Sequence, residues 1–467
     1  MKRTVYDELL KWKESRDRKP LLIKGVRQCG KTYILKEFGK ENYEDVAYFT
    51  FEKNPVLFEI FQNDLDPAKI LDGLSIMRKK KIEPGRTLLI LDEIQLCGRA
   101  LNSLKFFCED APEYHVACAG SLLGIMISKK NSFPVGKVNR IMMFPMSFKE
   151  YLLANSEDLL VEFVDNNDKI DDESLSAPAV TKLITHLDNY MIIGGMPAAV
   201  NSWLTDRDIE KVEKILNEII EDYKDDFSKH APELLPKLTL IWNSVPIQLA
   251  KDNNKFVFSH VKTGARSKDL EDALEWLVNA GLVYKVKKVD PPKVPLGMYA
   301  DNMNFKIYVA DIGILRKMAK MPPNFIFSKN IEYKDFRGAI AENYVLNEII
   351  SSTGDLPYYW RSGSDAEMDF VAQIDGAAVP IEAKAGNTKS KSLKQYIEDN
   401  GPKAAVITTN RRTNSTVVTY VPRYALWKMT DLVRKKIGGP EWPQAHIDPE
   451  LSYKNDDAPF DGDENDE

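Results

Sequence analysis

The sequence predicts an α/β protein of several domains, built around a parallel sheet, on three observations. Short apolar runs alternate with helical patterns from Pro20 to Ser147, as in a sheet buried by helices on both faces. A long helical stretch and a helix–helix–hairpin pattern follow. A second compact α/β pattern runs from about Asp335 to Ile437. The 467 residues suit about three domains at the usual ~150 residues each.

In the first region, Pro20–Lys24, Val46–Phe51, Thr87–Leu91, His115–Ala119 and Ile141–Phe144 read as strands, and Lys31–Lys40 as a helix. We place this domain at 1–150. Amphipathic helices interrupted by the turn Gly194-Gly195-Met196-Pro197 fill a helical lid or linker at 151–237. In 238–325, helices at Leu238–Lys251 and Ser267–Ala280 precede a strand at Leu282–Val289, a proline-rich loop and a return strand at Phe305–Val309. Gly281 ends the second helix. This is the pattern of a winged helix. In 326–437 come a helix at Phe336–Ser351, strands at Leu356–Trp360, Met368–Gln373 and Val379–Ala383, a helix at Lys391–Asp399 and a strand at Ala404–Thr408.

Composition excludes several classes. Hydrophobic residues at 43% and charged residues at 29% exclude a disordered, collagen-like or fibrous chain. No apolar run approaches the roughly 18 residues of a membrane span. Met1–Arg18 mixes both charge signs, unlike a secretory signal, so a cytoplasmic protein without membrane contact is expected. The four cysteines, Cys29, Cys97, Cys108 and Cys118, form no C-x-x-C pair and are expected to be reduced thiols. Five scattered histidines give no zinc-site spacing. The net charge is −6, but Asp448–Glu467 holds nine acids and one lysine, a net −8. The body is therefore about +2, by −6 − (−8). The segment 438–467 is expected to be an acidic, disordered tail.

Gly25-Val26-Arg27-Gln28-Cys29-Gly30-Lys31-Thr32 fits G-x-x-x-x-G-K-[ST] between a strand and a helix. Glycines let such a loop wrap and turn its amides inward, where they and the helix N-terminus cradle phosphates. Lys31 supplies positive charge to the β- and γ-phosphates, and the Thr32 hydroxyl can ligate Mg²⁺. Leu88–Leu91 then delivers Asp92 and Glu93 at a strand's C-terminal end, the edge where open α/β sheets bind ligands. Asp92 would hold Mg²⁺ and Glu93 would polarise the attacking water. Gly120-Ser121 ends the His115–Ala119 strand. Ser121 is a candidate γ-phosphate sensor, or a turn serine. Lys137 and Arg140 precede the last strand, as candidate phosphate cations on a neighbouring subunit or as solvated loop charges.

These residues resemble the prokaryotic AAA-type ATPases of the archaeal-ATPase-like group. The likeness lies in Gly25–Thr32 with Arg27-Gln28 inside it, Leu91-Asp92-Glu93-Ile94-Gln95, Ala119-Gly120-Ser121, Phe144-Pro145-Met146-Ser147-Phe148-Lys149-Glu150-Tyr151 and Gly194–Pro197. With the C-terminal pattern it covers most of the chain up to the tail. It implies ATP binding with Mg²⁺ through the matching positions. Lys137 stands where the group more often has arginine, and Cys29 and Cys118 also depart from its pattern.

In the C-terminal region, Glu342 lies on the first helix, Asp369 on a strand, and Glu382 and Lys384 two apart on the next strand, facing one way. A hairpin would bring Asp369 beside Glu382, so that Glu342, Asp369 and Glu382 could bind Mg²⁺ while Lys384 acts on water, with Gln395 adding a polar contact. This resembles the PD-(D/E)-x-K, restriction-endonuclease-like superfamily, although Met368 replaces the proline that often precedes its first aspartate. A structural salt-bridge cluster on the same fold is the alternative. Lys262, Arg266 and Lys268 lie at the start of the winged-helix segment's second helix, where they could meet DNA. Such modules also serve as protein contacts. Trp276 reads as core.

The preferred reading is a Mg²⁺-dependent ATPase coupled to DNA binding or processing through the C-terminal nuclease-like domain. Its rivals are a nucleotide-dependent protein-interaction switch, self-association included, with an inactive C-terminal domain, and a winged-helix regulator without cleavage.

Overall fold

A computed structural model describes residues 1–438 except 53, 121–133, 168–174, 252–254, 327–333, 364–365, 384–389 and 410–415. Ser121, Lys384 and the acidic tail lie outside the described residues.

Five strands form the first sheet: β1 (Leu21–Lys24), β2 (Asp45–Thr50), β3 (Thr87–Asp92), β4 (His115–Ala119) and β5 (Asn139–Met142). All pair in parallel, in the order β2-β3-β4-β1-β5. Every residue of β3 and β4 is buried, because both faces carry helices. The period-2 alternation divides the strands between two cores. Leu88, Ile90, Leu21 and Ile23 pack with Ile34, Leu35 and Phe38 of the helix Lys31–Asn42. Leu89, Leu91, Leu22 and Cys118 pack with the helices Pro55–Asn63, Pro67–Arg78 and Gly98–Asp110. Since β4 lies between β3 and β1, Ala119 pairs with both Asp92 and Ile23. The loop after β1 and the acids after β3 therefore share one sheet edge, flanking the end of β4.

Helices fill the next stretch: Phe148–Ala154, Asp158–Asp165, Ala177–Ile193, Pro197–Asp206 and Ile209–His230. Ser147 and Glu150 form a capping box at the first of these. The longest, Ile209–His230, buries Val212, Leu216, Ile219, Tyr223 and Phe227 on one stripe at three- and four-residue spacing. Two motifs of the sequence meet here. Met146 N–H donates to the Gly195 carbonyl at 2.7 Å, Gly195 N–H donates to Asp311 at 2.6 Å, and Tyr190 hydroxyl donates to the Met146 carbonyl at 2.5 Å. Phe148 N–H donates to Glu348, on the C-terminal helix Lys334–Thr353, at 2.8 Å. A Cβ on Gly195 would lie 2.1 Å from the Met146 carbonyl oxygen, and neither backbone is free to give. Gly195→Ala should lower stability by about 3 kcal/mol, the upper range for overpacking, in chemical denaturation. A loss under about 1 kcal/mol, the range of tolerated swaps, would contradict this close approach.

The helices Leu235–Leu249, Phe258–Val261 and Ser267–Asn279 precede an antiparallel hairpin of β6 (Val283–Val289) and β7 (Ala300–Val309). Trp276 is buried, its ring 5.4 Å from that of Phe227. The C-terminal strands are β8 (Tyr358–Arg361), β9 (Glu367–Ile374), β10 (Ala377–Ala383), β11 (Ala405–Thr408) and β12 (Val418–Val421), with the helix Lys391–Asn400 between β10 and β11. A feature absent from the sequence reading is that one seven-stranded mixed sheet, β12-β11-β10-β9-β8-β6-β7, joins these strands to the hairpin. The join is the parallel pairing of β6 with β8 at Lys288 and Tyr359. The sheet thus crosses the boundary expected near residue 325. No helix among the described residues is long and apolar enough to cross a membrane.

Candidate functional site

The loop Gly25–Thr32 takes its shape from backbone angles that few residues allow. Gly25 and Gly30 have φ of +153° and +98°. A Cβ on Gly25 would stand 2.0 Å from the Met143 carbonyl oxygen. Gln28, a non-glycine residue, also has positive φ, at 66°. The loop is clamped from the sheet side: Cys29 is fully buried, and Arg3 donates to the Cys29 and Phe144 carbonyls at 3.0 and 2.7 Å while pairing with buried Glu150. Lys31 Nζ donates to the carbonyls of Gly25 and Val26 at 2.9 and 2.8 Å, so its ammonium lies inside the loop.

Thr32 Oγ1 donates to Asp92 Oδ2 at 2.9 Å, and the Tyr48 hydroxyl donates to the same oxygen at 2.9 Å. A hydroxyl and a carboxylate in contact beside a phosphate loop suit a magnesium ion that also takes phosphate oxygens and water. Thr32 and Asp92 are the residues that would hold it. Glu93 follows in the left-handed region, φ 52°, directly after the strand. Gln95 donates to its carboxylate. Burial pushes the Glu93 carboxyl above its ordinary range, with the Gln95 hydrogen bond pulling it down and Asp92 adding to the rise.

The sequence reading missed what covers the loop. Helix Ile209–His230 turns Asp222, Tyr223 and Asp226 onto it. Asp226 pairs with Arg27, Asp222 accepts from Gln28 Nε2 at 2.5 Å, and the Tyr223 hydroxyl donates to the Arg27 carbonyl at 3.2 Å. Gly281, just before β6, borders the loop: a Cβ there would lie 3.5 Å from Val26 N, an ordinary contact distance. The side chains of Arg27 and Gln28 thus serve this clasp. The acids at 222 and 226 are spaced i, i+4 on this helix, a spacing that puts both on one face but does not say what that face meets. Asp226→Asn removes a buried negative charge beside an anion site and releases the partly exposed Arg27, so ATP affinity should rise roughly threefold to tenfold. Calorimetric titration decides, and a fall in affinity would sink this account of the clasp.

Of the two cations expected before the last strand, only Lys137 precedes β5. Lys137 pairs with Glu109 at 2.8 Å, at the sheet edge opposite the loop. Arg140 stands on β5 beside Leu22. It lies near Lys24, whose ammonium is depressed to about 8, mainly by burial and further by Arg140.

In the C-terminal domain the structure gathers Glu342, Asp369 and Glu382, all buried or nearly so, at one end of the β9–β10 hairpin. The Ala383 N–H donates to Asp369 Oδ2 at 2.7 Å. Three residues missed from sequence join them. Lys306, on β7, reaches Glu342 at 3.2 Å and Glu367 at 2.6 Å, and the Tyr308 hydroxyl donates to Glu342. Burial pushes the Asp369 carboxyl up to about 8, with Glu342 adding to the rise and Lys306 opposing it. Among the described residues no group of three or more His, Cys, Asp or Glu is disposed to hold a metal ion. Gln395 donates to Asp399 on its own helix.

With this geometry in place, similarity to known families is informative. Residues 17–152 match the family model described as an AAA domain. The N-terminal domain is an AAA-type P-loop domain. Its parallel five-stranded sheet, loop and paired acids are those of that class. Residues 184–324 and 337–425 match two domains of unknown function, DUF8612 and DUF4143. Uncharacterized proteins of Mycobacterium bovis and Mycobacterium tuberculosis are each 31% identical over 97 residues, 20% of this chain and 21% of the relative. The match thus spans about a fifth of each relative's length. Among solved structures, the Aeropyrum pernix ORC1 protein in complex with DNA shares 11% identity at a TM-score of 0.26, covering 68% of this chain and 90% of that one. AMPPCP-bound DnaA from Aquifex aeolicus shares 15% at 0.27, covering 59% and 87%.

Proposed function

We propose that this chain is a magnesium-dependent ATPase whose nucleotide cycle is transmitted to a DNA-binding winged helix. The observation that carries the reading is the cover on the phosphate loop. Asp222, Tyr223 and Asp226 of the helical lid hold Arg27 and Gln28, while Gly281, at the junction of the helix Ser267–Asn279 and the β6–β7 hairpin, abuts Val26. Any shift of the loop on taking phosphate presses directly on the lid and on that junction.

The loop amides and Lys31 would bind the phosphates, Thr32 and Asp92 would hold Mg²⁺, and Glu93 would take a proton from the water that attacks the γ-phosphorus as its bond to the bridging oxygen breaks and ADP leaves. Magnesium, when bound, neutralises charge developing on the phosphate oxygens. The sensor role proposed for Ser121 rests on its position in sequence, two residues after the end of β4. The pairing of Lys137 with Glu109 weighs against Lys137 as a cation acting on a neighbouring subunit.

The helices Leu235–Leu249 and Ser267–Asn279 with the β6–β7 hairpin have the order of a winged helix. Lys262, Arg266 and Lys268 are exposed at the start of the second helix, where a recognition helix meets phosphates and bases. The C-terminal helix, the β8–β9–β10 meander, the following helix and parallel β11 keep the order of a PD-(D/E)-x-K scaffold. Changing Lys262, Arg266 and Lys268 together to alanine should weaken DNA binding by ~10-fold or more and flatten its salt dependence by up to three phosphate contacts. ATP turnover measured with and without duplex DNA then tests the coupling. Turnover indifferent to DNA, with unchanged binding by the triple variant, would instead support a switch that binds another protein. The engagement of Glu342 by Lys306 favours an inactive C-terminal domain in that second reading.

A further inference from the structure

We propose that Lys306 is the resident cation of the C-terminal carboxylate cluster, in the place where a nuclease of this scaffold would hold a divalent metal. The inference is independent of the proposed ATP coupling. Lys306 is 1% exposed and comes from β7, outside the segment that carries the acids. Its ammonium lies 2.6 Å from Glu367 Oε1 and 3.2 Å from Glu342 Oε1, and 5.2 Å from the centroid of the Tyr359 ring. Tyr308, two residues on and therefore on the same face of β7, donates its hydroxyl to the same Glu342 carboxylate.

This donor set does not fit a metal. The Glu342 oxygen facing the cluster already takes an ammonium and a hydroxyl. Asp369 Oδ2 is drawn to the backbone of Ala383. A metal bound through Glu342 would stand against the Lys306 ammonium in a dry site, where like charges repel strongly. Conversely, a lysine this deep is stable only when paired, and removing either member of a buried pair leaves an uncompensated charge. Lys306 therefore also fastens the β6–β7 hairpin to the helix Lys334–Thr353 and to β9, reinforcing the slight strand contact at Lys288 and Tyr359.

The test uses the full chain without nucleotide, with Mn²⁺ as probe. Bound ions are counted by electron paramagnetic resonance, and melting is followed with and without the metal. The wild type and Asp369→Asn should bind the same number of Mn²⁺ ions, since Asp369 lies far in sequence and in a different sheet from the Thr32–Asp92 site. Lys306→Met should melt roughly 5–10 °C lower, the shift expected on breaking a buried pair in a domain of this size. Should that variant fail to fold, the comparison of wild type with Asp369→Asn still decides. A wild-type Mn²⁺ ion lost in Asp369→Asn would overturn the proposal, as would Lys306→Met melting with the wild type.

Discussion

Glu93→Gln should bind ATP as tightly as the wild type and hydrolyse it ~10²–10⁴-fold more slowly, the usual contribution of a positioned general base. Binding is expected to survive because the substitution touches neither the loop amides nor the Thr32–Asp92 contact at 2.9 Å. It also preserves size, so the left-handed turn at φ 52° is unchanged. What is lost is the acceptor. A glutamine carbonyl can orient water, but it cannot take a proton as the bond to phosphorus forms. Burial raises the pKa of the native carboxyl, which strengthens it as a base toward water. Single-turnover phosphate release, set beside equilibrium nucleotide binding, separates the two steps. Turnover within a factor of a few of the wild type would mean that water is activated by another group.

The phosphate loop and its acids were legible because each signal is local. A glycine pattern sits between strand and helix, and two carboxylates follow an apolar run. The strands were legible for a similar reason, since a run such as Leu88–Leu91 buried on both faces has no polar alternative. The helices Pro55–Asn63 and Pro67–Arg78 were missed, although their starts are written in Asn54-Pro55 and Asp66-Pro67, whose Asn54 and Asp66 side chains cap the first turns. Contacts between distant segments were not legible. The clasp pairs Arg27 with Asp226, and the C-terminal cluster pairs Glu342 with Lys306. No spacing rule links such residues. Lys306 is the instructive miss. In Phe305-Lys306-Ile307-Tyr308, alternation reads as a strand with one wet face, yet all four residues are buried. The paired Lys and Tyr on one face were the available signal, and only the seven-stranded sheet gives that face something to meet. The Gly194-Gly195 motif was visible as a turn. Its cause, the close approach to the Met146 backbone, was not.

Lys31→Ala should weaken ATP binding by roughly 10–150-fold, the worth of about one hydrogen bond to a charged group at 1.5–3 kcal/mol. The structure adds a second consequence that sequence reasoning does not supply. The Lys31 ammonium is buried and bonded to the carbonyls of Gly25 and Val26. Truncation leaves those carbonyls without this donor, at a cost of about 1–3 kcal/mol if water does not replace it. The variant should therefore melt below the wild type even without nucleotide. To bind phosphate, the side chain must also exchange these two carbonyls for phosphate oxygens. That exchange of neutral partners for charged ones is favourable, and it links loop conformation to occupancy. Lys31→Arg keeps the charge, but its planar fork does not match a pocket shaped around a compact ammonium. It should recover little affinity while retaining positive charge. Nucleotide titration and nucleotide-free melting of both variants decide. Wild-type affinity in Lys31→Ala would remove this loop from phosphate binding, whereas lost affinity with an unchanged nucleotide-free melt would show that the carbonyl contacts contribute nothing to the stability of the loop.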